Sequence, residues 1–436
     1  MKRTLTLFAA VLMIIGAAPA NAQKKQLDHD VYDSWERVGN NHITADGRYS
    51  VLEVSPQQGD PRIEIEDLTD GRKTVVERGA SVTLSRDGKW MIFRIKAPYA
   101  ETRKARIAKK KADQMPKDSL AYMKLEDFSI TMVKGSTSYK TTTENVVRLA
   151  YEADVDIIEK PKAEADTTKP AKKKGPKTEK GIVLLDLASG STDTLRRVEK
   201  YGFNRPGDRM VVVFKQDKKD SLSVHEVVLY RLADMERTQL AKDHKFYSMP
   251  NFNKAGDKLL FLASMDSAAT GSKHCSVHMT EDKMVGKGRK AVRQVVTSEL
   301  IAQGYSRDLP EGWTVTETCN PIFSDKCDRV FLGVAPVMPP KDTSIVDFEA
   351  AQLDIWNWDV YMTPVQQRLN NNAIKNAYCR SVIDLATDPH NLIPLSKNLE
   401  ERVSLVLAGE ADWALVQDNT PYQLSSTWDS NPWNDV

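Results

Sequence analysis

Two stretches decide how this chain reads: Phe203-Asn204-Arg205-Pro206-Gly207-Asp208-Arg209-Met210-Val211-Val212 and Phe252-Asn253-Lys254-Ala255-Gly256-Asp257-Lys258-Leu259-Leu260-Phe261. In both, an apolar residue enters a polar turn, glycine supplies a position with φ > 0, and an apolar strand leaves. The unit recurs at 43–52, 84–93 and 323–332, the last with Cys327 in the glycine slot, and in degenerate form at 407–416. A second unit, alternating apolar residues closed by a turn, follows several of these, at 63–71, 182–190, 227–234 and 381–388. Alternating the two gives hairpin after hairpin, the sequence form of antiparallel blades around an axis. A β-sandwich also uses many short strands but has no reason to reuse one turn. The expected fold is all-β, a β-propeller.

The slot positions 47, 88, 207, 256, 327 and 411 are separated by 41, 119, 49, 71 and 84 residues. The short gaps suit one blade each, and the long ones must hold a further blade or an insertion. Two insertions are visible. Residues 102–117, rich in Arg, Lys and Ala and ending at Met115-Pro116, read as a short basic helix stopped before proline, within an insertion at about 101–120. Residues 159–180 are a Lys/Pro/Ala/Glu/Thr tract with too few apolar groups to order itself, which predicts a disordered loop inside a blade.

Composition bounds the partners. The 436 residues carry 62 Lys+Arg against 60 Asp+Glu, a formal charge of +2, so the overall field of a nucleic-acid binder is absent. The start combines Met1-Lys2-Arg3, an apolar run and Ala20-Asn21-Ala22, the pattern of a secretory signal cleaved after Ala22. That places the mature chain, 23–436, in the periplasm or outside the cell, with no membrane span left after cleavage. An oxidising compartment permits disulfides, so Cys319 and Cys327 are candidates to pair. The alternative is that all four cysteines pack as small apolar residues.

No stretch makes a complete active site. A nucleophile elbow needs G-x-S-x-G, and 79–83 and 304–308 both lack the second glycine. On a strand His274, Ser276 and His278 share one face, but no third metal ligand is evident and zinc needs at least three. Glu400-Glu401 reads as a solvated turn rather than an amine clamp, and Gly286-Lys287-Gly288 as a basic turn rather than a phosphate loop. Six of eight tryptophans lie between Trp313 and Trp433, and blades ordinarily consume aromatics in their own packing. No catalytic, cofactor-binding or metal-binding residue is assigned, and no cofactor is expected.

Several segments resemble the N-terminal half of exported bacterial members of the prolyl oligopeptidase family of serine peptidases. They are Leu27-Asp28-His29-Asp30-Val31-Tyr32-Asp33-Ser34-Trp35, the basic run Lys109-Lys110-Lys111-Ala112-Asp113-Gln114-Met115-Pro116-Lys117-Asp118-Ser119-Leu120, and Leu309-Pro310-Glu311-Gly312-Trp313. Ala335-Pro336-Val337-Met338-Pro339-Pro340-Lys341-Asp342-Thr343-Ser344, continued by Asp354-Ile355-Trp356-Asn357-Trp358, completes the set. The resemblance implies a propeller that restricts access and binds peptide, paired with a C-terminal α/β-hydrolase domain carrying a Ser-Asp-His triad. No triad residue maps onto this chain, nor do the residues that grip a peptide amino terminus in dipeptidyl-peptidase relatives. The sequence-based expectation is a propeller unclosed at its C-terminus, cut before the catalytic domain and inactive alone. The other expectation is a complete, exported propeller that docks peptide or protein.

Overall fold

A computed structural model describes residues 29–436 except 134–135, 137, 143, 145–147, 157–177, 217–224, 267–270, 287–291, 341, 343, 345, 347–352, 388 and 432. The expected signal, 1–22, and most of the expected loop at 159–180 lie outside the described residues. Residues 178–180, assigned to that loop by the sequence, instead open a strand.

Among the described residues the strand pairings are antiparallel, and the strands follow the chain into successive sheets. The first is Glu36–Ile43, Tyr49–Pro56, Arg62–Asp67 and Lys73–Glu77 (β1–β4). The second is Gly79–Leu84, Trp90–Ile95, Ser119–Lys124 and Ser129–Val133 (β5–β8). The third is Tyr139–Thr141, Arg148–Asp156, Thr178–Asp186 and Thr192–Arg196 (β9–β12). The fourth is Val198–Phe203, Arg209–Phe214, Glu226–Arg231 and Glu236–Lys242 (β13–β16). In the fifth the first strand is broken into Phe246–Tyr247 and Asn251–Phe252, both paired with Lys258–Ser264, before Ser276–Val285 and Val292–Ile301 (β17–β21). The sixth repeats this with Trp313–Val315 and Ile322–Phe323 on Arg329–Pro336, then Cys379–Asp384 and Leu392–Pro394 (β22–β26). The last is a hairpin, Arg402–Leu405 and Ala414–Gln417 (β27–β28). Four-stranded meanders in sequence order are propeller blades, and the fold is an all-β β-propeller.

The chain divides into two compact units: residues to Ile43, Gly47–Val82 and Phe93–Lys117 in one, and Thr44–Asp46, Thr83–Ile92 and Asp118–Val436 in the other. In the first, β2 and β3 alternate buried with half-buried positions and bury Val51, Ile63 and Ile65. Asp67 closes β3 with its carboxylate covered, hydrogen-bonded by Arg48 at 2.8 Å and by Thr69, which holds its pKa far below the carboxylate range.

In the second unit, strand alternation joins sheet to sheet. On β14, Met210 and Val212 pack with Ala150, Ile182 and Leu184 of the third sheet, while Val211 and Val213 pack with Leu259 and Phe261 of the fifth. On β19, Leu259, Phe261 and Ala263 face back, and Leu260 and Leu262 face forward onto Val330 and Leu332 of the sixth. These strands are buried on both faces, so they read as continuous apolar runs. Each such side chain contributes about 1.5–3 kcal/mol.

The two sequence units prove to be neighbours within a blade. The residue after the glycine slot presents its carbonyl to the leucine N–H of the second unit: Arg48 to Leu68, Asp208 to Leu232 and Asp328 to Leu385, at 2.7–2.9 Å. The long gap between slots 88 and 207 holds the third sheet, whose turn has Thr142 in the place of Asn204. Its hydroxyl accepts from Arg148 N–H, as Asn204 Oδ1 does from Arg209 N–H.

Slot glycines also touch the preceding turn. Asn204 Nδ2 donates to the Gly256 carbonyl at 3.2 Å, and a Cβ on Gly256 would lie 2.6 Å from that nitrogen. A Cβ on Gly207 would lie 2.9 Å from Thr142 Cβ. In the fifth slot Cys327 tolerates φ 61° and takes a hydrogen bond from Asn253 on its sulfur at 3.3 Å. The expected sixth copy is different: φ is positive at Leu407, Ala408 and Gly409, and Ala411 holds no slot.

Three expectations change. All four cysteines are free and no Cys319–Cys327 disulfide forms; Cys275, Cys319 and Cys379 are buried as the packing alternative expects, but Cys327 is only half-buried, in a polar turn. The basic helix (α1) runs Tyr99–Ile107, entered from Pro98, and ends before the lysine run because Lys109 takes φ 50°. Between β24 and β25 lies an insertion that sequence reading missed, with a helix (α2) at Pro364–Lys375. Thr363 caps it reciprocally with Gln366, a T-P-x-Q signal legible beforehand.

Gly256→Ala meets both a left-handed φ and the side chains of Asn204 and Pro206, and should lower stability by about 2 kcal/mol. Cys327→Gly relieves φ strain and should leave the urea midpoint unchanged or raise it. Urea unfolding of both variants checks the pair.

Candidate functional site

The inner strands of the third, fourth and fifth sheets enclose a cavity of about 630 Å³. Its walls come from Lys140 and Thr141 on β9, Gly202 and Phe203 on β13, Met249 and Pro250 in the break between β17 and β18, and Asn251 and Phe252 on β18. Pro250 cannot donate to a ladder and so marks the interruption. Gly202 leaves room for Met249, whose Cε would lie 2.6 Å from a Cβ there and would have to swing aside.

Neighbouring inner strands are tied by side chain to backbone. Lys140 Nζ donates to the Tyr201 carbonyl at 2.6 Å and lies 4.9 Å over the Tyr201 ring. Lys200 Nζ donates to the Tyr247 carbonyl at 2.5 Å, and Asn251 Nδ2 to the Pro321 carbonyl at 3.0 Å. Desolvation lowers the pKa of both lysines. At the cavity rim Arg205 and Arg86 share Glu144, at 2.6 and 3.2 Å, and Lys254 pairs with Asp325 at 2.9 Å. The lining mixes Phe203, Phe252, Met249 and Pro250 with amides and cations and contains no carboxylate. Its size and composition fit a binding cleft, and its groups offer recognition without a nucleophile–base pair.

A second cavity, about 520 Å³, lies among Glu199, Lys215, Gln216, His225, Asp243, His244 and Lys245. Behind it His278 is stacked on Phe261 at 5.1 Å between ring centroids and hydrogen-bonds Ser276 Oγ at 2.8 Å. The same Ser276 hydroxyl lies 3.1 Å from the Ala263 carbonyl. Burial, with His244 nearby, pushes the His278 pKa down to about 4.

The candidates from sequence separate. His274 lies before β20 and pairs with Asp266 at 3.0 Å, so it does not join His278 in one ligand set. Among the described residues no group of three potential metal ligands occurs. Ser81 lies on β5 with φ 58°, its N–H bonded to Glu53, and Ser306 lies in the loop before β22; neither opens a helix. Glu401 accepts from Lys397 N–H and Asn398 caps the Glu400 and Glu401 amides, which makes this pair a turn. The tryptophans depart from expectation. Trp313 packs into the core between the fifth and sixth sheets, but Trp356, Trp358, Trp413, Trp428 and Trp433 are exposed, because all lie outside the strands. Sequence reading missed Lys140, Phe203, Asn251 and Phe252; the only prior signal was the break at Met249-Pro250.

No protein family and no curated protein matches this chain. Among solved structures it is similar to the β-propeller domain of the trilobed protease from Pyrococcus furiosus, at 12% identity and TM-score 0.33, covering 85% of this chain and 87% of that one. It is also similar to an acylaminoacyl peptidase from Pyrococcus horikoshii, at 12% identity and TM-score 0.30, over 72% of this chain and 51% of that one. A structure from a study of two prolyl endopeptidases matches at 12% identity and TM-score 0.34, over 86% of this chain. The chain spans about half of the latter two, 51% and 52%. These likenesses carry no activity over to this chain.

Titration of His278 yields a prediction. Its folded pKa lies below the unfolded value of about 6.5, so the unfolded chain binds more protons in between and stability falls as pH drops from 6.5 toward 4. The loss should reach about 3 kcal/mol. His278→Gln should flatten that part of the curve, measured as urea-unfolding free energy against pH.

Proposed function

We propose that this propeller is the peptide-binding, access-restricting part of an exported serine peptidase of the prolyl oligopeptidase type, and that 23–436 binds without catalysing. The cavity on the inner strands carries the reading. It offers apolar walls at Phe203, Phe252 and Met249 beside Lys140 and Asn251, which suits side chains and backbone of a short peptide. The sequence segments 27–35, 309–313 and 335–340 support the same family, and the start at 1–22 supports export. Nucleic acid is not a partner in this reading, since charge is nearly balanced.

Two measurements test it. Mature 23–436 should neither hydrolyse X-Pro or Ala-Ala chromogenic peptides nor react with a fluorophosphonate probe; stoichiometric labelling of any serine would overturn the binding-only role. A benzophenone-bearing peptide should cross-link within 202–205 and 249–254, and Phe252→Ala should cut the yield at least about tenfold, the loss of about 1.4 kcal/mol. Cross-links scattered over the surface, or none, would sink the peptide reading.

A further inference from the structure

The cavity's charge points to the class of peptide it takes. Around it stand four cations, Lys140, Arg86, Arg205 and Lys254, and two carboxylates, Glu144 and Asp325. Arg86 and Arg205 divide one carboxylate between them, and Lys254 has its own. Lys140 has neither. Its amine donates to the Tyr201 carbonyl, which answers one of three N–H groups and neutralises no charge. Among the described residues no carboxylate lies within salt-bridge distance of it. The nearby turn acids, Asp208 and Asp257, lie within electrostatic reach of Arg209 and line no part of the cavity.

We infer that the cavity binds a carboxylate-bearing peptide, with the anion at Lys140 and an adjacent apolar side chain between Phe203 and Phe252. This rests on the peptide-binding reading and narrows it. A carboxylate would supply the counter-charge that the fold leaves out, and charge-assisted hydrogen bonds are about twice as strong as neutral ones. The apolar wall selects against a bare anion, which would gain nothing from the two rings or from Met249. Desolvation already depresses the Lys140 pKa, so a bound anion should reverse that shift.

The test uses the 23–436 chain and two probes, dansyl-Gly-Gly-Phe with a free carboxylate and its C-terminal amide, read by fluorescence anisotropy at low salt. The acid should bind at least about tenfold more tightly than the amide, a preference that weakens with salt. Lys140→Met should abolish the preference and Lys140→Arg should keep it. Should Lys140→Met fail to fold, the pKa of reductively 13C-methylated Lys140, followed by NMR in the unmutated chain, should rise on adding the acid and not the amide. Equal binding of acid and amide would overturn the carboxylate assignment and leave peptide binding standing. Binding of neither would overturn both. Displacement of the acid by equimolar inorganic phosphate would show an unselective anion site and would also overturn the inference.

Discussion

A strand buried on both faces has no side to spare, and the larger unit of this protein is organised by that constraint. Successive side chains leave a strand in opposite directions. On β14 this sends Met210 and Val212 to the third sheet, Val211 and Val213 to the fifth. On β19 the same division sends Phe261 back and Leu262 forward. No sheet in this series has a core of its own. Each hydrophobic cluster belongs to two neighbours, so a one-residue slip of any such strand would exchange both interfaces at once.

Polar groups repeat the arrangement. At one end the turns touch, Asn204 reaching Gly256 and Asn253 reaching Cys327. Along the inner strands Lys140, Lys200 and Asn251 each donate to a carbonyl of the next sheet. Edge strands present unpaired carbonyls, and these side chains satisfy some of them without adding a strand. The cavity is a by-product of the same device. It lies where β17 and β18 break around Met249-Pro250, and Lys140, which ties the third sheet to the fourth, lines it.

Much of this was legible in advance because it is local. The turn motif, glycine spacing and apolar runs foretold the blades, and the two recurring units are adjacent strands joined at Arg48–Leu68, Asp208–Leu232 and Asp328–Leu385. The third sheet was hidden because the position three residues after Thr142 is Asn145, where Thr44 and Asn204 are followed by Gly47 and Gly207. The helix at Pro364–Lys375 was overlooked although Thr363 and Gln366 announce it. The site was not legible. Phe203 and Phe252 open two copies of the turn motif, but nothing in that motif marks a binding wall, and Lys140, more than 100 residues before Phe252, belongs to no copy.

By itself the sequence determined the secondary structure and the class of fold, since φ > 0 at a glycine, a two-residue period and an apolar run act within a few residues. Only the tertiary structure decided what those features are for. Gly256 must be glycine because a neighbouring turn lies against it as well as for its φ of +80°. Four cysteines stay thiols because three are packed in cores or under backbone and Cys327 faces Asn253. The candidate site exists because inner strands distant in the chain are brought side by side, a proximity that no local preference encodes.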